Sequence, residues 1–328
     1  MSIIDPIELV LNAVRGLALT PDQLSLVASN PQAASQYARD VIKGRWIDGE
    51  PAIAKDAELA YCYAFANKLT RWKAAEPAIA THPRWATFYA VYITKSRFED
   101  AEAIIATDAN YSLLYALGGI KRRFPEGEAV IMLDQMYGYA YARDVIKGRW
   151  KEIEPLLLEY PGAASEYAQN ILKERWIEAE PMIAQDANAA YGYLRKFLNA
   201  PWKEAESAIA KHPMKACLYA KFFIKGRWIE GEPGIAQNAY FSCAYAIDVI
   251  KERFAEGEPV ILNNPECALR YVRDVIKGRW VDFEVLLKDM PEFEDEYESI
   301  IEKAYSETLC SNGGIEMLNE TLDEKLDD

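Results

Sequence analysis

The two histidines are the side chains of this sequence whose ordinary pKa best suits acid–base chemistry near neutral pH. They are His82 and His212, they lie 130 residues apart, and each stands directly before a proline. A nucleophile–histidine pair needs side chains within hydrogen-bonding distance, and a shared metal ion would need the same proximity. Both residues fit the position just before the first turn of a helix. We therefore expect two helix caps and no enzyme.

The five cysteines give little basis for metal or redox chemistry. They show no C-x-x-C spacing, which zinc sites and disulfide oxidoreductases commonly use. Cysteines without such pairing fit a reducing compartment, so we predict no metal, no cofactor and a cytoplasmic location. The five are Cys62, Cys217, Cys243, Cys267 and Cys310.

Arginine, lysine and glutamate recur at fixed distances from an aromatic residue. Arginine directly precedes this aromatic in nine of ten occurrences, lysine lies three residues before it in eight, and glutamate lies four residues after it in all ten. The basic residues could form a cationic ladder along a polyanion, or each arginine could pair with a glutamate and close a turn. The constant glutamate favours pairing. Pro201 replaces one arginine, which leaves Glu206 in need of another donor or of water. The candidate ladder comprises Lys95, Arg97, Lys121, Arg123, Lys147 and Arg149.

These distances reflect a repeat of 26 residues. The segment "YARDVIKGRW" occupies Tyr37–Trp46 and recurs without change at Tyr141–Trp150, which is four periods later. Steps of 26 from Trp46 to Trp280 meet Trp or Phe ten times without an insertion, and a tyrosine lies nine residues before each of them. Self-similarity at such a period is typical of repeat architectures, in which stacked units share one continuous core.

Within one repeat the apolar spacing is helical. Tyr37, Ala38, Val41 and Ile42 follow one face of an amphipathic helix. A glycine such as Gly44 indicates that the helix ends there, and the acids after the aromatic favour the start of a shorter second helix. The sequence therefore predicts an all-α solenoid of about ten helical hairpins. We place an N-terminal cap with a degenerate repeat in residues 1–36, ten repeats in 37–296, and an acidic C-terminal cap and tail in 297–328.

The repeat consensus resembles a known type of protein. The string "KGRW-x-[DE]-x-E-P-x-I-A-x-[DN]" is similar to tandem helical repeats encoded by bacteriophages, and "RW…EAEPMIAQDANAAYGYL" more distantly resembles a tetratricopeptide repeat with a shortened second helix. The resemblance implies an α-solenoid whose role is interaction, and it implies no catalytic residues. It also implies a viral protein that engages or inhibits a host protein in the cytoplasm of a bacterial or infected host cell.

The charge of the chain is concentrated at one end. The formal net charge is −14, and residues 289–328 contribute −12 of it through 14 acids and two lysines, which leaves −2 for the rest. A non-specific nucleic-acid binder is expected to be basic overall, so nucleic acid is not the expected partner. No apolar run of about 18 residues is present, which predicts no membrane-spanning helix. The N-terminal "MSIIDPIELVLNAV" lacks the basic start of a secretory signal.

One position of the repeat varies in a way that indicates a binding surface. Seven and six residues before the aromatic, three repeats carry an Arg-Asp pair, but repeats two to four carry Phe65-Ala66, Val91-Tyr92 and Leu117-Gly118. Stacked side by side, these apolar residues would form a contiguous patch of the kind that marks partner sites. Alternatively, local curvature buries them. The candidate patch is Phe65, Val91, Tyr92 and Leu117.

The C-terminal tail adds a second candidate surface. Ile315, Leu318, Leu322 and Leu326 share one helical face after a "SNGG" break. The tail fits a capping or oligomer-forming helix, a solvated acidic terminus, or an anionic mimic for a basic partner. Our leading hypothesis for the whole chain is a non-enzymatic scaffold that binds a protein. The alternatives are sequestration of a nucleotide-like ligand between repeats, or tracking of a single-stranded nucleic acid along the Lys/Arg ladder.

Overall fold

The computed structural model describes the backbone of residues 5–311 and the side chains of residues 5–306. This part of the chain contains helices and no strand, and its helical hairpins recur in the order that the 26-residue period predicts. The predicted fold class, an all-α solenoid, is confirmed. By contacts the chain forms two compact units. The first comprises Met1–Ala163 with Asn170–Leu172, and the second comprises Ala164–Gln169 with Lys173–Asp328.

Each repeat, numbered 1 to 10 by its aromatic residue from Trp46 to Trp280, opens with a helix whose start the sequence encodes. In repeat 2 the Asp56 carboxylate accepts a hydrogen bond of 2.9 Å from the Leu59 N–H, which would otherwise lack a partner within the helix. These first helices are Pro31–Tyr37, Ala57–Ala66, Pro83–Phe88, Ala109–Leu114, Gln135–Tyr141, Pro161–Tyr167, Ala187–Tyr193, Pro213–Tyr219, Ala239–Tyr245 and Pro265–Tyr271.

The first helix continues into a wider π-helical turn in every repeat except repeat 2. The wide turn closes through bonds from the Lys43 and Gly44 N–H groups to the Ala38 carbonyl in repeat 1. The π-helical segments are Ala38–Ile42, Tyr89–Thr94, Tyr115–Gly119, Ala142–Ile146, Ala168–Leu172, Leu194–Leu198, Ala220–Ile224, Ala246–Ile250 and Val272–Ile276.

The residue that ends this helix is a lysine and not the glycine that the sequence suggested. Lys43 adopts a left-handed conformation with φ 55°, whereas Gly44 does not. Repeat 7 has Asn199 in the corresponding place, eight repeats have lysine there, and in repeat 2 the left-handed lysine, Lys68, stands one residue earlier. The helix stop thus lies one residue earlier than predicted, because the backbone bonds that close the wide turn require the left-handed residue before the glycine.

The second helix of each repeat is short. It carries the constant glutamate in its first turn, where the carboxylate favours the positive end of the helix dipole. The second helices are Glu50–Ile53, Glu76–Ile79, Glu102–Ile105, Pro125–Ile131, Glu154–Leu157, Glu180–Ile183, Lys203–Ile209, Glu232–Ile235, Glu258–Leu262 and Val281–Leu287. Single 3₁₀ turns precede five of them, at Ile47–Gly49, Glu99–Ala101, Lys151–Ile153, Ile177–Ala179 and Ile229–Gly231.

Additional helices close each end of the repeats. At the N-terminus, helices Pro6–Val14 and Pro21–Ser29 bury Leu9, Val10 and Val27. At the C-terminus, a 3₁₀ turn at Pro291–Phe293 leads into helix Glu294–Ser311. The tail residues Ile315, Leu318, Leu322 and Leu326 lie outside the described part of the chain. Within the described part, no helix is both long enough and apolar enough to cross a membrane.

Candidate interaction surface and the joints that support it

A hydrogen-bonded joint, formed by the arginine, aromatic and glutamate of one repeat with the tyrosine of the next, connects neighbouring repeats. In repeat 3, Arg97 donates from Nε and Nη2 to the two carboxylate oxygens of Glu102, each at 2.7 Å. The hydroxyl of Tyr115, from repeat 4, accepts a bond of 2.8 Å from the Phe98 N–H and donates one of 2.9 Å to Glu102. Glu102 therefore receives donors from both repeats.

The same joint recurs in both units. The tyrosine hydroxyl lies 2.6 to 2.9 Å from the aromatic N–H and 2.6 to 3.2 Å from the glutamate. In the first unit the aromatic–tyrosine pairs are Trp46–Tyr63, Trp72–Tyr89, Phe98–Tyr115 and Phe124–Tyr141. In the second unit they are Trp176–Tyr193, Trp202–Tyr219, Trp228–Tyr245, Phe254–Tyr271 and Trp280–Tyr297.

The protonation states of the joint follow from its surroundings. Burial raises the pKa of Tyr89 to about 12, so its hydroxyl keeps the proton that it donates. The Arg97 guanidinium holds the pKa of the Glu102 carboxyl below its ordinary value, and the Tyr115 hydroxyl adds to this effect. At Glu284 the bonds from Arg279 and Tyr297 lower the pKa to about 2. The joints are thus charged glutamates held by neutral tyrosines and cationic arginines.

The candidate cationic ladder divides into two groups. Arg97, Arg123 and Arg149 each form a two-bonded ion pair with the glutamate of their own repeat, and all nine arginines that precede the aromatic do so. The ladder lysines are exposed and adopt the left-handed conformation that ends the first helix. They are Lys95, Lys121 and Lys147.

The candidate apolar patch lies largely on the surface. Phe65, Tyr92 and Leu117 are 56%, 48% and 39% exposed. Val91 differs, because it is half-buried and packs against Gly118 of the next repeat, where a β-carbon would come within 2.8 Å of the valine Cγ1. The structure therefore presents three of the four residues to solvent and uses the fourth to bring repeats 3 and 4 into contact.

Aromatic side chains that sequence reasoning missed extend this patch. Tyr61 lies between Phe65 and Trp85, with ring centroids 5.9 and 5.5 Å away, and it also contacts Phe88 at 5.8 Å. Phe88 in turn contacts Tyr92 at 5.7 Å, while Arg84 lies over the Trp85 ring. We call Tyr61, Phe65, Trp85, Phe88, Tyr92 and Tyr111 the aromatic face. Phe88 is aromatic in repeat 3 alone among the ten, which is the sequence signal that could have found it, whereas the position of Trp85 is also aromatic at Tyr111, Tyr137 and Phe241.

In repeats 1, 5 and 10 the same position carries an Arg-Asp pair. Arg39 donates to Asp40 at 2.8 Å and Arg143 to Asp144 at 2.6 Å, so each arginine pairs with the adjacent aspartate. Arg143 also lies over the Tyr139 ring. The aromatic face thus replaces neighbouring ion pairs with exposed rings.

The histidines and cysteines do not assemble a reactive site. His82 and His212 occupy the predicted N-cap positions, but neither imidazole makes a capping hydrogen bond. Cys62, Cys217, Cys243 and Cys267 are free thiols. Burial raises the pKa of Cys217 to about 11 and that of Cys243 to about 12, which disfavours the reactive thiolate. The described residues contain no cluster of three or more His, Cys, Asp or Glu side chains that could hold a metal ion.

Comparisons with models of known protein families, with curated proteins and with solved structures found no match to this chain.

Proposed function

We propose that this protein is a non-enzymatic scaffold and that it binds a protein partner through the aromatic face of repeats 2 to 4. The observation that carries the proposal is the exposure of Phe65, Tyr92 and Leu117 at a position where other repeats form Arg–Asp ion pairs. Large apolar side chains left in water over three consecutive repeats are unfavourable for an isolated chain, and a partner that covers them removes that apolar surface from solvent.

The composition of the face favours a protein as the partner. Tyrosine, tryptophan, phenylalanine and arginine are the residues enriched at protein interfaces and among the side chains that dominate binding energy. Trp85 is buried at the base of the face, while Phe65 and Tyr92 project to solvent. Arg84 lies 4.5 Å from the Trp85 ring centroid. Such a surface offers apolar contact together with a donor for a carbonyl or carboxylate.

The joints below the face hold it in one arrangement. Tyr89 joins repeat 3 to repeat 2, and Tyr115 joins repeat 4 to repeat 3. Both tyrosines are fully buried. A partner therefore meets a surface that is already ordered, which reduces the conformational entropy lost on binding. From the resemblance to bacteriophage repeats, we propose further that the partner is a protein of the host cell.

The test exchanges the face for the residues that the same position carries elsewhere in the chain. Phe65→Arg in repeat 2 and Tyr92→Asp in repeat 3 introduce the residue types that repeat 1 carries at these two positions, Arg39 and Asp40, and together they leave the formal net charge unchanged. The control, Phe222→Arg with Tyr240→Asp, alters an exposed phenylalanine and tyrosine of the second unit, which are 54% and 59% exposed. We expect the wild-type chain and the control to retain the same host protein from a lysate, and the face variant to lose it.

Retention of the same protein by all three chains would contradict the proposal. Circular dichroism and thermal melting must accompany the capture experiment. A loss of helicity in the face variant would show that the rings stabilise the fold, which would also contradict the proposal.

Tracking of a single-stranded nucleic acid is the second candidate, and one observation favours it. Nine exposed lysines, one in each repeat except repeat 7, adopt the left-handed conformation, eight of them three residues before the aromatic and Lys68 four residues before it. Within one unit, such a row of charges could follow a phosphate backbone. Binding of this kind weakens steeply with salt, so elution from heparin only at high salt would support it, and elution at low salt would leave the aromatic face as the better candidate.

A further inference from the structure

Repeat 7 has an incomplete joint. Pro201 stands where the other nine repeats have the arginine that pairs with the constant glutamate. Glu206 still accepts a bond of 3.0 Å from the Tyr219 hydroxyl, and this hydroxyl accepts one of 2.8 Å from the Trp202 N–H. The donor that the sequence required for Glu206 is thus Tyr219, and Oε1 is the oxygen that it reaches. Among the described residues, no arginine bonds to Glu206.

The other repeats show which group binds a carboxylate held in the position of Glu206. In repeat 6, Arg175 Nε lies 2.8 Å from Glu180 Oε1 and Nη2 lies 2.9 Å from Oε2, while Tyr193 donates to Oε1 at 2.9 Å. Tyr219 holds Glu206 through one bond to Oε1, as Tyr193 holds Glu180, and each hydroxyl accepts its other bond from the N–H of the preceding tryptophan, Trp202 or Trp176. A planar guanidinium matches a carboxylate through two parallel bonds, which an ammonium group does not.

Open space borders the helix that carries Glu206. This half-buried side chain lines a groove of about 530 Å³ with Lys203, Ser207, Lys211 and Glu230. Pro201, Trp202 and Glu204, at the start of the same helix, line a second groove of about 630 Å³. A side chain from another molecule can therefore approach repeat 7 without displacing a packed residue.

We propose that Glu206 is a binding site for an arginine side chain supplied by a protein partner, which completes the joint of repeat 7 in trans. This inference rests on the proposed function only in taking the arginine from a protein. The carboxylate is already fixed by Tyr219, so the arginine meets a formed acceptor. Both bonds are charge-assisted, which makes them stronger than bonds between neutral groups.

The test uses the full chain and methylguanidinium chloride as the probe, at concentrations too low to denature. Nuclear magnetic resonance of the Trp202 backbone N–H, which bonds to Tyr219, reports occupancy of Glu206. We expect a saturable shift in the wild-type chain. Methylammonium should bind at least tenfold more weakly. Pro201→Arg restores the internal guanidinium, and we expect this variant to lose the saturable shift while remaining folded.

Glu206→Gln removes the charge of the carboxylate and should also lose the saturable shift. If this variant fails to fold, the Pro201→Arg variant alone tests the proposal. Equal shifts in the wild-type and Pro201→Arg chains, equal shifts from methylammonium, or no saturable shift would each overturn the proposal. The blocked peptide acetyl-Gly-Arg-Gly-amide should bind more tightly than free arginine. The reverse order would identify a metabolite and overturn the assignment to a protein. Phe65→Arg with Tyr92→Asp should leave probe binding unchanged, which separates this site from the aromatic face.

Discussion

The joint between repeats 3 and 4 and the aromatic face of repeat 3 use tyrosine side chains in different ways. In the joint, Tyr115 of repeat 4 buries its ring completely, and its hydroxyl is bonded on both sides, to Phe98 and to Glu102. On the aromatic face, Tyr92 leaves 48% of its surface in water. The joint recurs in repeat after repeat, whereas the residues of the face change from one repeat to the next.

This difference distinguishes the joint residues, which hold neighbouring repeats together, from the residues of the aromatic face, which are free to vary. A buried tyrosine hydroxyl needs both of its partners, because an unsatisfied polar group in the interior is unfavourable. Any change in the joint therefore affects two repeats. A side chain on the aromatic face is exposed to water and needs no fixed hydrogen-bond partner. The backbone at this position therefore accepts an Arg-Asp pair as well as an aromatic ring. Specific binding can thus develop on the face without loss of the fold.

The largest expected effect on stability comes from removing the tyrosine hydroxyl of one joint. Tyr115→Phe leaves the buried Phe98 N–H without its acceptor and removes a donor from Glu102. We expect a loss of about 2 kcal/mol in the free energy of unfolding, together with faster hydrogen exchange at Phe98. Urea denaturation and exchange measured by nuclear magnetic resonance check this.

Tyr111→Phe is the matched control for that variant, because it removes a hydroxyl that lies outside the joints in the same repeat. It should change stability by less than about 0.5 kcal/mol. Equal losses in the two variants would show that the joint hydroxyl has no special role.

The second-largest expected effect is the loss of joint stability at low pH. The pKa of Glu284 is about 2 in the folded chain against an ordinary value of 4.5, so folding favours the charged carboxylate. Its contribution to stability is complete above pH 4.5 and is lost as the pH falls towards 2. The pKa values of Glu102, Glu128, Glu180 and Glu258 are lowered in the same direction. Urea midpoints measured from pH 7 down to pH 2 should fall through this range.

Glu284→Gln tests the assignment of the acid effect. The variant should be less stable than the wild-type chain at pH 7, and its stability should depend less on pH below 4.5. An unchanged pH dependence would exclude Glu284 as a contributor.

Exchange of the face should cost less than the loss of the joint hydroxyl. Phe65→Arg with Tyr92→Asp removes ring contacts with Tyr61 and Phe88. Aromatic pairs of this kind contribute about 0.5 to 1.5 kcal/mol when they are well packed. Because both side chains are half in water, we expect a total loss of about 1 kcal/mol or less, measured by urea denaturation. A loss above that of Tyr115→Phe would reverse the distinction between joint and face.

Much of the fold can be read from the sequence, because the period is unbroken. The interval of 17 residues from aromatic to tyrosine is constant, and so is the interval of five from arginine to glutamate in the nine repeats that have the arginine. Constant spacing with constant chemistry indicates contact between the residues involved. The ion pairs follow from this, as at Arg97 and Glu102. Which tyrosine atom meets which backbone group is not contained in spacing, since it depends on how adjacent hairpins pack.

Two features required the structure. "KG" in a sequence suggests that the glycine is left-handed, yet the wide turn after Ala38 places this conformation on Lys43. The exposure of Phe65 and the burial of Trp85 also could not be read from periodicity, because both lie on helices where core and surface rings share the same spacing. Packing of each repeat on its neighbour decides which ring reaches solvent.

The smallest expected effect concerns the lysines that end the first helices. Lys147 has φ 58°, a region that side chains with a β-carbon adopt at some cost in energy. Asparagine tolerates it better, and repeat 7 has Asn199 at this position. Lys147→Asn should therefore stabilise the chain by about 0.5 kcal/mol in urea denaturation. The control Lys151→Asn, in a 3₁₀ turn of the same repeat, should give no gain. Destabilisation by Lys147→Asn would mean that the lysine makes a favourable contribution larger than its backbone strain. Unchanged stability in both variants would mean that the left-handed lysine carries no measurable strain.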